Sequence, residues 1–355
     1  MLKSVCKTAL LFFGLVSTVF SQGTVDGRFD VGNGGRLILN LDKIGGTIAI
    51  EGWEQARVEI KGETYGQGWD KDCGLSMRGD NTEVAVGPDC GYPAKRDEYR
   101  RAKVSLKIKV PKKFDIKLEA DAETTISQVE GRMDIAIGNA DLDLSWIYGR
   151  ADIHTANGRI YITDCKLDGN ISNTNGRLTI EKSSVQGEVR TTNSSMELSD
   201  APYGIALGST NGTIRIGSAK EFVRARTTNG SVRIGELDGR LEVETVNGNV
   251  EAKMIGNGAN GGHDIDLETL NGDIELLLPD DFSMNVDIVV TERNSRKRSR
   301  RYTIASDFNI SVDTVELGRD DYEVRGKGSV RGGKNKVYVR AVNGDVHLRK
   351  ARGEL

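Results

Sequence analysis

Asparagine recurs at one fixed spacing along most of this chain. A carboxamide both accepts and donates hydrogen bonds, so stacked asparagines can bond one another or the backbone at a corner of a fold. A structural ladder is one interpretation of the series, and a repeated ligand array is the other. Successive members are 18 residues apart up to the seventh, and the series comprises Asn139, Asn157, Asn175, Asn193, Asn211, Asn229 and Asn247, then Asn271 after a six-residue insertion, and Asn343.

Cysteines and a basic run are the next side chains that could do chemistry. Cys73 and Cys90 flank a segment rich in Gly and Asp, and we predict a disulfide between them, since export permits disulfides. Cys165 is then left over and is interpreted as a small buried hydrophobic residue. A candidate binding loop for a polyanion has six basic residues in nine, with a solvated hairpin loop as the alternative: Arg293, Arg296, Lys297, Arg298, Arg300 and Arg301.

Motifs for catalysis or metal binding do not stand out. The three histidines share no metal-ligand spacing, and the chain has neither a nucleophile elbow nor a phosphate-binding loop. We therefore expect no catalytic residue, no metal and no cofactor. Two weaker signals are an Arg-Gly-Asp tripeptide of the kind that integrins bind, at residues 78–80, and a candidate ice- or surface-binding column formed by Thr174, Thr192, Thr210 and Thr228.

The spacing of 18 is a structural repeat as well. Each copy approximates Thr-x-Asn-Gly-x-Ile-x-Ile, and the alternation after the turn predicts a half-buried strand. With 43 Gly and 5 Pro, the composition is typical of many tight turns between hydrogen-bonded strands. One coil cannot bury its own apolar side chains, so coils must stack in parallel register. The sequence predicts an all-β fold, a single-stranded parallel β-solenoid (β-helix) with coils of about 18 residues.

Stacking places equivalent residues above one another. We expect an inward column formed by Ile160, Leu178, Met196, Ile214, Val232 and Val250. Continuing the strand parity, Thr245 and Asn247 should point inward with Leu241 and Val243, so the asparagine ladder is expected to be buried. Outward positions are polar, and Glu197 should lie over Arg215.

Domain organisation follows from composition. Residues 1–21 are predicted to be a signal peptide, because two lysines precede an apolar run and a cleavage site before Gln22. Residues 22–118 are assigned to N-terminal strands or a cap, with a disulfide-tied insertion at 62–102. Residues 119–355 are assigned to the repeat solenoid, with a loop at 291–302. No transmembrane span is expected after cleavage, and the chain is expected to be secreted, periplasmic or on the cell surface.

Charge argues against nucleic acid as a partner. Cleavage removes two lysines and no acid, so the mature net charge is 47 − 52 = −5. A mildly acidic chain lacks the basic surface that nucleic-acid binding needs.

The repeat, an exported N-terminus, the Gly46–Trp53 segment and the closing stretch at 332–348 together resemble the bacterial putative-adhesin domain family. The resemblance implies an exported β-solenoid with a role in surface attachment, and it supplies no catalytic residues. This chain departs from the pattern at Ala140 and Ser194, which replace the turn glycine, and in its insertion and basic run.

The preferred function is therefore an exported non-enzymatic β-solenoid, a putative adhesin or surface scaffold that binds a surface ligand, either protein or polysaccharide. The insertion at 62–102 and the loop at 293–301 are the expected contact regions. The alternative is a carbohydrate-active β-helix protein that binds or cleaves polysaccharide. That alternative requires carboxylates converging in an aromatic-lined groove, for which Tyr65, Trp69 and Tyr92 are the candidates.

Overall fold

A computed structural model describes residues 16–20, 23–32, 34–67, 69, 73–90, 101–292, 301–318 and 321–351. These residues form strands and connecting turns, and no α-helix occurs among them. It follows that no helix in this part of the chain is long and apolar enough to cross a membrane. The all-β prediction is correct.

The chain order of the strands is as follows. The first half comprises β1 (Val16–Phe20), β2 (Gly23–Asp30), β3 (Arg36–Leu41), β4 (Gly45–Trp53), β5 (Arg57–Gly66), β6 (Cys73–Gly79), β7 (Glu83–Cys90), β8 (Ala102–Pro111), β9 (Asp115–Ala120), β10 (Glu123–Glu130), β11 (Met133–Ile137), β12 (Leu142–Asn157), β13 (Ile160–Thr163), β14 (Lys166–Asp168), β15 (Ile171–Asn175) and β16 (Leu178–Glu181). The second half comprises β17 (Ser184–Gln186), β18 (Glu188–Thr191), β19 (Met196–Ala201), β20 (Ile205–Asn211), β21 (Ile214–Asn229), β22 (Val232–Asn247), β23 (Val250–Met254), β24 (Ile265–Asn271), β25 (Ile274–Leu278), β26 (Met284–Glu292), β27 (Ile304–Ser306), β28 (Ser311–Glu316), β29 (Tyr322–Val330), β30 (Asn335–Val342) and β31 (Val346–Lys350).

Two long parallel ladders run along the molecule. Face one contains the strands that follow each Asn-Gly turn, in the spatial order β8-β4-β10-β12-β13-β16-β19-β21-β22-β23-β25-β31-β27. Face two contains the strands that lead into each turn, in the order β7-β3-β9-β11-β12-β15-β18-β20-β21-β22-β24-β30-β26. The parallel β-solenoid prediction is confirmed. The boundary expected between residues 118 and 119 falls within β9, which pairs with β3 on one side and with β11 on the other.

A third, shorter side joins the end of each face-one strand to the next face-two strand. In the middle of the solenoid it consists of the central part of β12 and of β14 and β17, which pair in parallel. Residues 18 apart therefore stack on this side as well, so each coil has three sides around one core.

The core is formed by side chains from all three sides. The expected inward column is buried throughout, with Ile160, Leu178 and Met196 each at most 1% exposed. Successive members are direct partners in the ladder. A single coil buries too few apolar side chains to offset its ordering entropy, which costs about 1–2 kcal/mol per residue, so neighbouring coils stabilise one another.

Coils at both ends lie out of chain order. The β3–β4 coil sits between the strands β7–β8 and β9–β10. At the other end, the β30–β31 coil sits between β24–β25 and β26–β27. Asn343 is 72 residues from Asn271 and yet is its direct neighbour in space. The sequence separation of 72 residues equals four repeats of 18 only by coincidence, because the two asparagines lie in adjacent coils.

Antiparallel strands close the ladders. At one end β5 and then β2 extend face one, and β6 and then β1 extend face two. At the other end β29 and then β28 extend face two. Strand β1 falls within the predicted signal peptide, of which 1–15 and 21 lie outside the described residues. The signal peptide remains a prediction.

Candidate functional site

The asparagines form one continuous chain of side-chain hydrogen bonds. The Nδ2 of each donates to the Oδ1 of the asparagine in the preceding coil, at 2.7 Å for Asn157 to Asn139 and 2.8 Å for Asn211 to Asn193. The remaining contacts are 2.8–3.0 Å long and include Asn343 to Asn271. At the first rung, Asn139 donates to Asp121, whose carboxylate only accepts. The donor direction of this contact agrees with that of every other amide along the series.

The expected inward direction of these asparagines is wrong. Asn157, Asn211 and Asn247 are exposed, whereas Thr245, two residues before Asn247, is buried. The Thr245 hydroxyl turns back to the corner and donates to Gly230 O at 3.1 Å, and the Thr227 and Thr269 hydroxyls donate to the equivalent glycine carbonyls. The strand parity fails because the chain turns at the asparagine, which places that side chain on the outer corner.

Close coil stacking explains the glycine after each asparagine. A Cβ on Gly176 would lie 2.0 Å from the carbonyl oxygen of Gly158, and the φ of Gly176 is +135°. Ser194 replaces the glycine in one coil and turns its hydroxyl to the Gly176 amide at 2.7 Å. The backbone in that coil adopts a different local path.

The cysteines serve structural roles. Cys73 and Cys90 form a disulfide and are direct partners across the β6–β7 hairpin. Cys165 is buried on the third side, and burial raises the pKa of its thiol to about 11. A thiol of that pKa stays protonated near neutral pH and reacts slowly.

Of the six basic residues in the predicted binding loop, only Arg301 lies within the described residues. Arg293, Arg296, Lys297, Arg298 and Arg300 lie outside the described residues. Arg301 is exposed and lies 4.8 Å from the centre of the Tyr322 ring. Within the Arg-Gly-Asp tripeptide, Asp80 Oδ1 accepts hydrogen bonds from Thr82 N, Thr82 Oγ1 and Glu83 N, which lower the pKa of that carboxyl. Asp80 thus shapes the β6–β7 turn.

Several acidic residues of face one form ion pairs. Asp141 accepts from the backbone and guanidinium of Arg159 at 2.7–2.9 Å, and its carboxyl pKa lies below its usual value. The expected pair of Glu197 with Arg215 forms at 3.8 Å. Within the described ranges, no group of three or more His, Cys, Asp or Glu side chains is arranged to hold a metal ion.

A polar groove runs along face two. It has a volume of about 550 Å³ and includes the predicted threonine column, of which Thr192, Thr210 and Thr228 are exposed. Gly208 lies between Arg190 and Arg226 in the ladder of face two. Both arginines already contact glutamates, at 2.6 Å and 3.0 Å. The threonines therefore border a groove of balanced charge.

Exposed aromatic side chains concentrate on the third side. Trp146 and Tyr148 are 51% and 44% exposed, and Tyr203 and Phe222 lie on later coils of the same side with 49% and 40% exposed. The sequence analysis missed this group, because the aromatic residues fall in the segment between the recognised strand motifs. For Trp146, the departure from a column otherwise formed by Gln128, Asp164 and Lys182 was the available signal.

A cleft opens beside the first two of these aromatics. Its volume is about 430 Å³, and it is lined by Lys112, Gln128, Val129, Glu130, Trp146 and Tyr148. The backbones of β10 and β12 hold Glu130 directly beside Tyr148 in the ladder. Of the aromatics expected to line a groove, Trp69 is buried and donates to Lys103 O, Tyr65 is 36% exposed, and Tyr92 lies outside the described residues.

Comparison with known proteins shows what the chain is similar to. Residues 203–349 match the model of the family described as Toastrack DUF4097. A solved structure from Bacteroides fragilis described as a putative adhesin has 13% identity and a TM-score of 0.35, covering 65% of this chain and 97% of its own. One from Clostridium sporogenes, described as a putative cell adhesion protein, has 10% identity and a TM-score of 0.17, covering 95% and 100%. No curated protein matches the chain.

Proposed function

We propose that this chain, whose residues 203–349 match the family described as Toastrack DUF4097, is an exported, non-enzymatic surface-binding module. The observation that carries the proposal is the row of exposed aromatic side chains on the third side. Exposed apolar side chains that lie together on a soluble protein, as Trp146 and Tyr148 do, are typical of interaction sites. Aromatic residues are also enriched where proteins bind their partners.

Two further features support this function. A disulfide is consistent with export, because such bonds persist in oxidising compartments. The stacked coils present long open faces, which suit extended partners better than small substrates.

Attachment assays test the proposal directly. Beads coated with the chain from Gln22 should attach to cells or to immobilised polysaccharide, and the double variant Trp146→Ala, Tyr148→Ala should lose at least tenfold of that attachment. Arg215→Ala is the control, because Arg215 is exposed on face one rather than on the third side. Unchanged attachment by the double variant would remove the third side as the binding surface.

The basic loop is a separate proposed contact region. Deleting residues 293–301 should reduce attachment to anionic polysaccharide and leave the melting temperature within a few degrees. If attachment survives the deletion, the loop has no part in binding.

Polysaccharide cleavage is the second candidate function. One observation favours it: the Glu130 carboxylate lines the cleft beside Trp146. Glycoside hydrolysis generally needs a second carboxylate across the scissile bond. Reducing-end assays on a polysaccharide panel test this candidate, and product formation that Glu130→Gln abolishes would establish it over simple binding.

A further inference from the structure

We infer that the cleft beside Trp146 and Tyr148 is a subsite for an uncharged sugar residue of a polysaccharide, whose chain continues along the third side toward Tyr203 and Phe222. This inference rests on the proposed binding function and names the ligand class for that surface. Three observations support it: the residues at the equivalent positions of other coils, the composition of the cleft, and the balance of charges around it.

The fold itself does not require an aromatic residue at position 146. Gln128, Asp164 and Lys182 occupy the same corner in other coils, and all four residues have positive φ, between 47° and 58°. Three polar side chains therefore satisfy the same left-handed corner. Trp146 leaves about half of a large apolar ring in water, which has a hydration cost that a ligand would remove.

The same comparison holds at position 148. The equivalent residues in adjacent coils are Glu130 and Lys166, and Ser184 follows Lys166. Tyr148 is 44% exposed, so it too contributes little to the core. Two adjacent aromatic substitutions in one coil of a repeat indicate a local binding role.

The cleft combines a stacking surface with hydrogen-bonding groups. Trp146 and Tyr148 provide rings on which the C–H face of a sugar can pack. Gln128, Glu130 and Lys112 provide an amide, a carboxylate and an ammonium that can bond sugar hydroxyls. A volume of about 430 Å³ lies within the range typical of small-ligand sites.

Local charges favour an uncharged ligand. Lys112 contacts Glu54, and Lys113 lies 3.9 Å from Glu130, so the basic and acidic groups at the cleft balance. A nucleic acid would meet the Glu130 carboxylate without a net positive surface. A peptide strand would find the neighbouring backbone already paired, because Glu130 N donates to Lys112 O and Gly131 N to Tyr148 O.

The other exposed aromatics extend the surface along the solenoid axis. Tyr203 lies three coils beyond Tyr148 and Phe222 four coils beyond, or about 14 Å and 19 Å at the usual strand spacing. Lys166 Nζ lies 5.8 Å from the centre of the Tyr203 ring and so helps hold that ring in place. A chain of several sugar residues can therefore contact both the cleft and the Tyr203 and Phe222 rings, whereas a monosaccharide fills only the cleft.

Tryptophan fluorescence provides a direct test. The chain has three tryptophans, and Trp146 is 51% exposed while Trp69 is 4% exposed. Titration with neutral oligosaccharides of glucose, mannose and N-acetylglucosamine, two to six units long, should shift the emission and protect it from acrylamide. Affinity should rise at least tenfold between two and five units for the sugar that fits.

Variants separate the cleft from its surroundings. Tyr148→Ala should weaken binding at least tenfold, measured by calorimetry, and Phe222→Ala should weaken only the longer oligosaccharides. Arg215→Ala, an exposed change on face one, should bind as the parent does, and circular dichroism should confirm that each variant is folded. Equal binding by Tyr148→Ala and the parent would overturn the subsite.

The failures of the two proposals are distinguishable. If no neutral oligosaccharide binds while Trp146→Ala and Tyr148→Ala still abolish attachment, the sugar assignment is wrong and the binding function stands. If acidic oligosaccharides alone bind, the uncharged-ligand assignment is wrong. If attachment does not depend on either aromatic residue, the surface itself is not the site and both proposals fail.

Discussion

Each ladder asparagine bonds the coil before it through its amide and the coil after it through its carbonyl. Asn211 donates to Asn193 and accepts from Asn229, both at 2.8 Å, while its side chain is exposed on the outer corner. Neutral hydrogen bonds contribute about 0.5–1.5 kcal/mol each, and neighbouring bonds in a chain polarise one another. The ladder therefore stabilises the stacking of coils and engages one N–H and the carbonyl oxygen of each inner asparagine in that series.

Asn211→Ala should destabilise the protein by about 1–2 kcal/mol, because it removes two ladder bonds. Arg215→Ala should cost less than about 1 kcal/mol, since it removes an exposed 3.8 Å ion pair with Glu197. Urea denaturation followed by circular dichroism measures both. Equal losses would mean that the ladder contributes no more than a surface ion pair.

Asp143 gives a pH-dependent prediction. Burial is the main reason that its carboxyl pKa is raised, and nearby Asp141 and Glu123 raise it further while Arg159 opposes them. The folded state therefore disfavours the ionised form, so this residue lowers stability at neutral pH and has no such effect below its unfolded pKa of about 4.

Asp143→Asn should accordingly raise the melting temperature at pH 7 and change it little near pH 3. Thermal unfolding at the two values measures the difference. Asp168→Asn, an exposed change on the third side, is the control. A stabilisation of equal size at both values would show that charge is not the cause.

The pairing of strands in this fold depends on how closely neighbouring coils approach at the corners. At the Asn-Gly corner, the glycine of one coil packs against a carbonyl oxygen of the preceding coil, as Gly176 does against Gly158 O. This contact leaves no room for a side chain. The strands on either side can pair in register only because the corner is this tight, so the turn glycine and the ladder asparagine act together.

Gly176→Ala should cost roughly 2–6 kcal/mol, because overpacking and left-handed strain each cost about 1–3 kcal/mol. Its added Cβ would meet Gly158 O at 2.0 Å. Gly318→Ala is the matched control, since nothing lies within 4 Å of its Cβ position. Chemical denaturation measures both, and a small loss at Gly176 would show that the coils can separate at this corner.

The whole molecule is held together at its ends by coils that lie out of chain order. Asn335 begins the returning coil and is fully buried. Its Nδ2 donates to Gly258 O and Ser283 O at 2.8 Å and 2.7 Å, and its Oδ1 accepts from His263 N at 2.9 Å. One side chain thus joins three segments that are distant in sequence.

Asn335→Ala should destabilise the C-terminal end by about 2–4 kcal/mol, because it leaves buried backbone groups unpaired. Hydrogen exchange should quicken in β24, β26 and β30, while amides in β13 and β16 keep their protection, since solenoid coils depend mainly on their neighbours. Lys336→Ala, an exposed neighbour, is the control. Uniform loss of protection along the chain would show that the solenoid unfolds as one unit.

The 18-residue period was enough to predict the parallel solenoid, its inward apolar columns and the positions of the ladder asparagines. These features repeat in every coil, so each is specified many times over by local alternation and turn residues. The aromatic residues of the third side were missed because they depart from the repeat in single coils, where no periodic signal exists.

Tertiary structure decided which way the asparagines face, where the terminal coils lie and which aromatic side chains share a surface. The direction of Asn247 depends on the turn at the corner, which simple strand parity does not include. The placement of Asn343 beside Asn271 depends on the chain leaving the stack and returning to it. Such long-range pairing is governed by the packing of the whole chain, so no spacing within a single coil could reveal it.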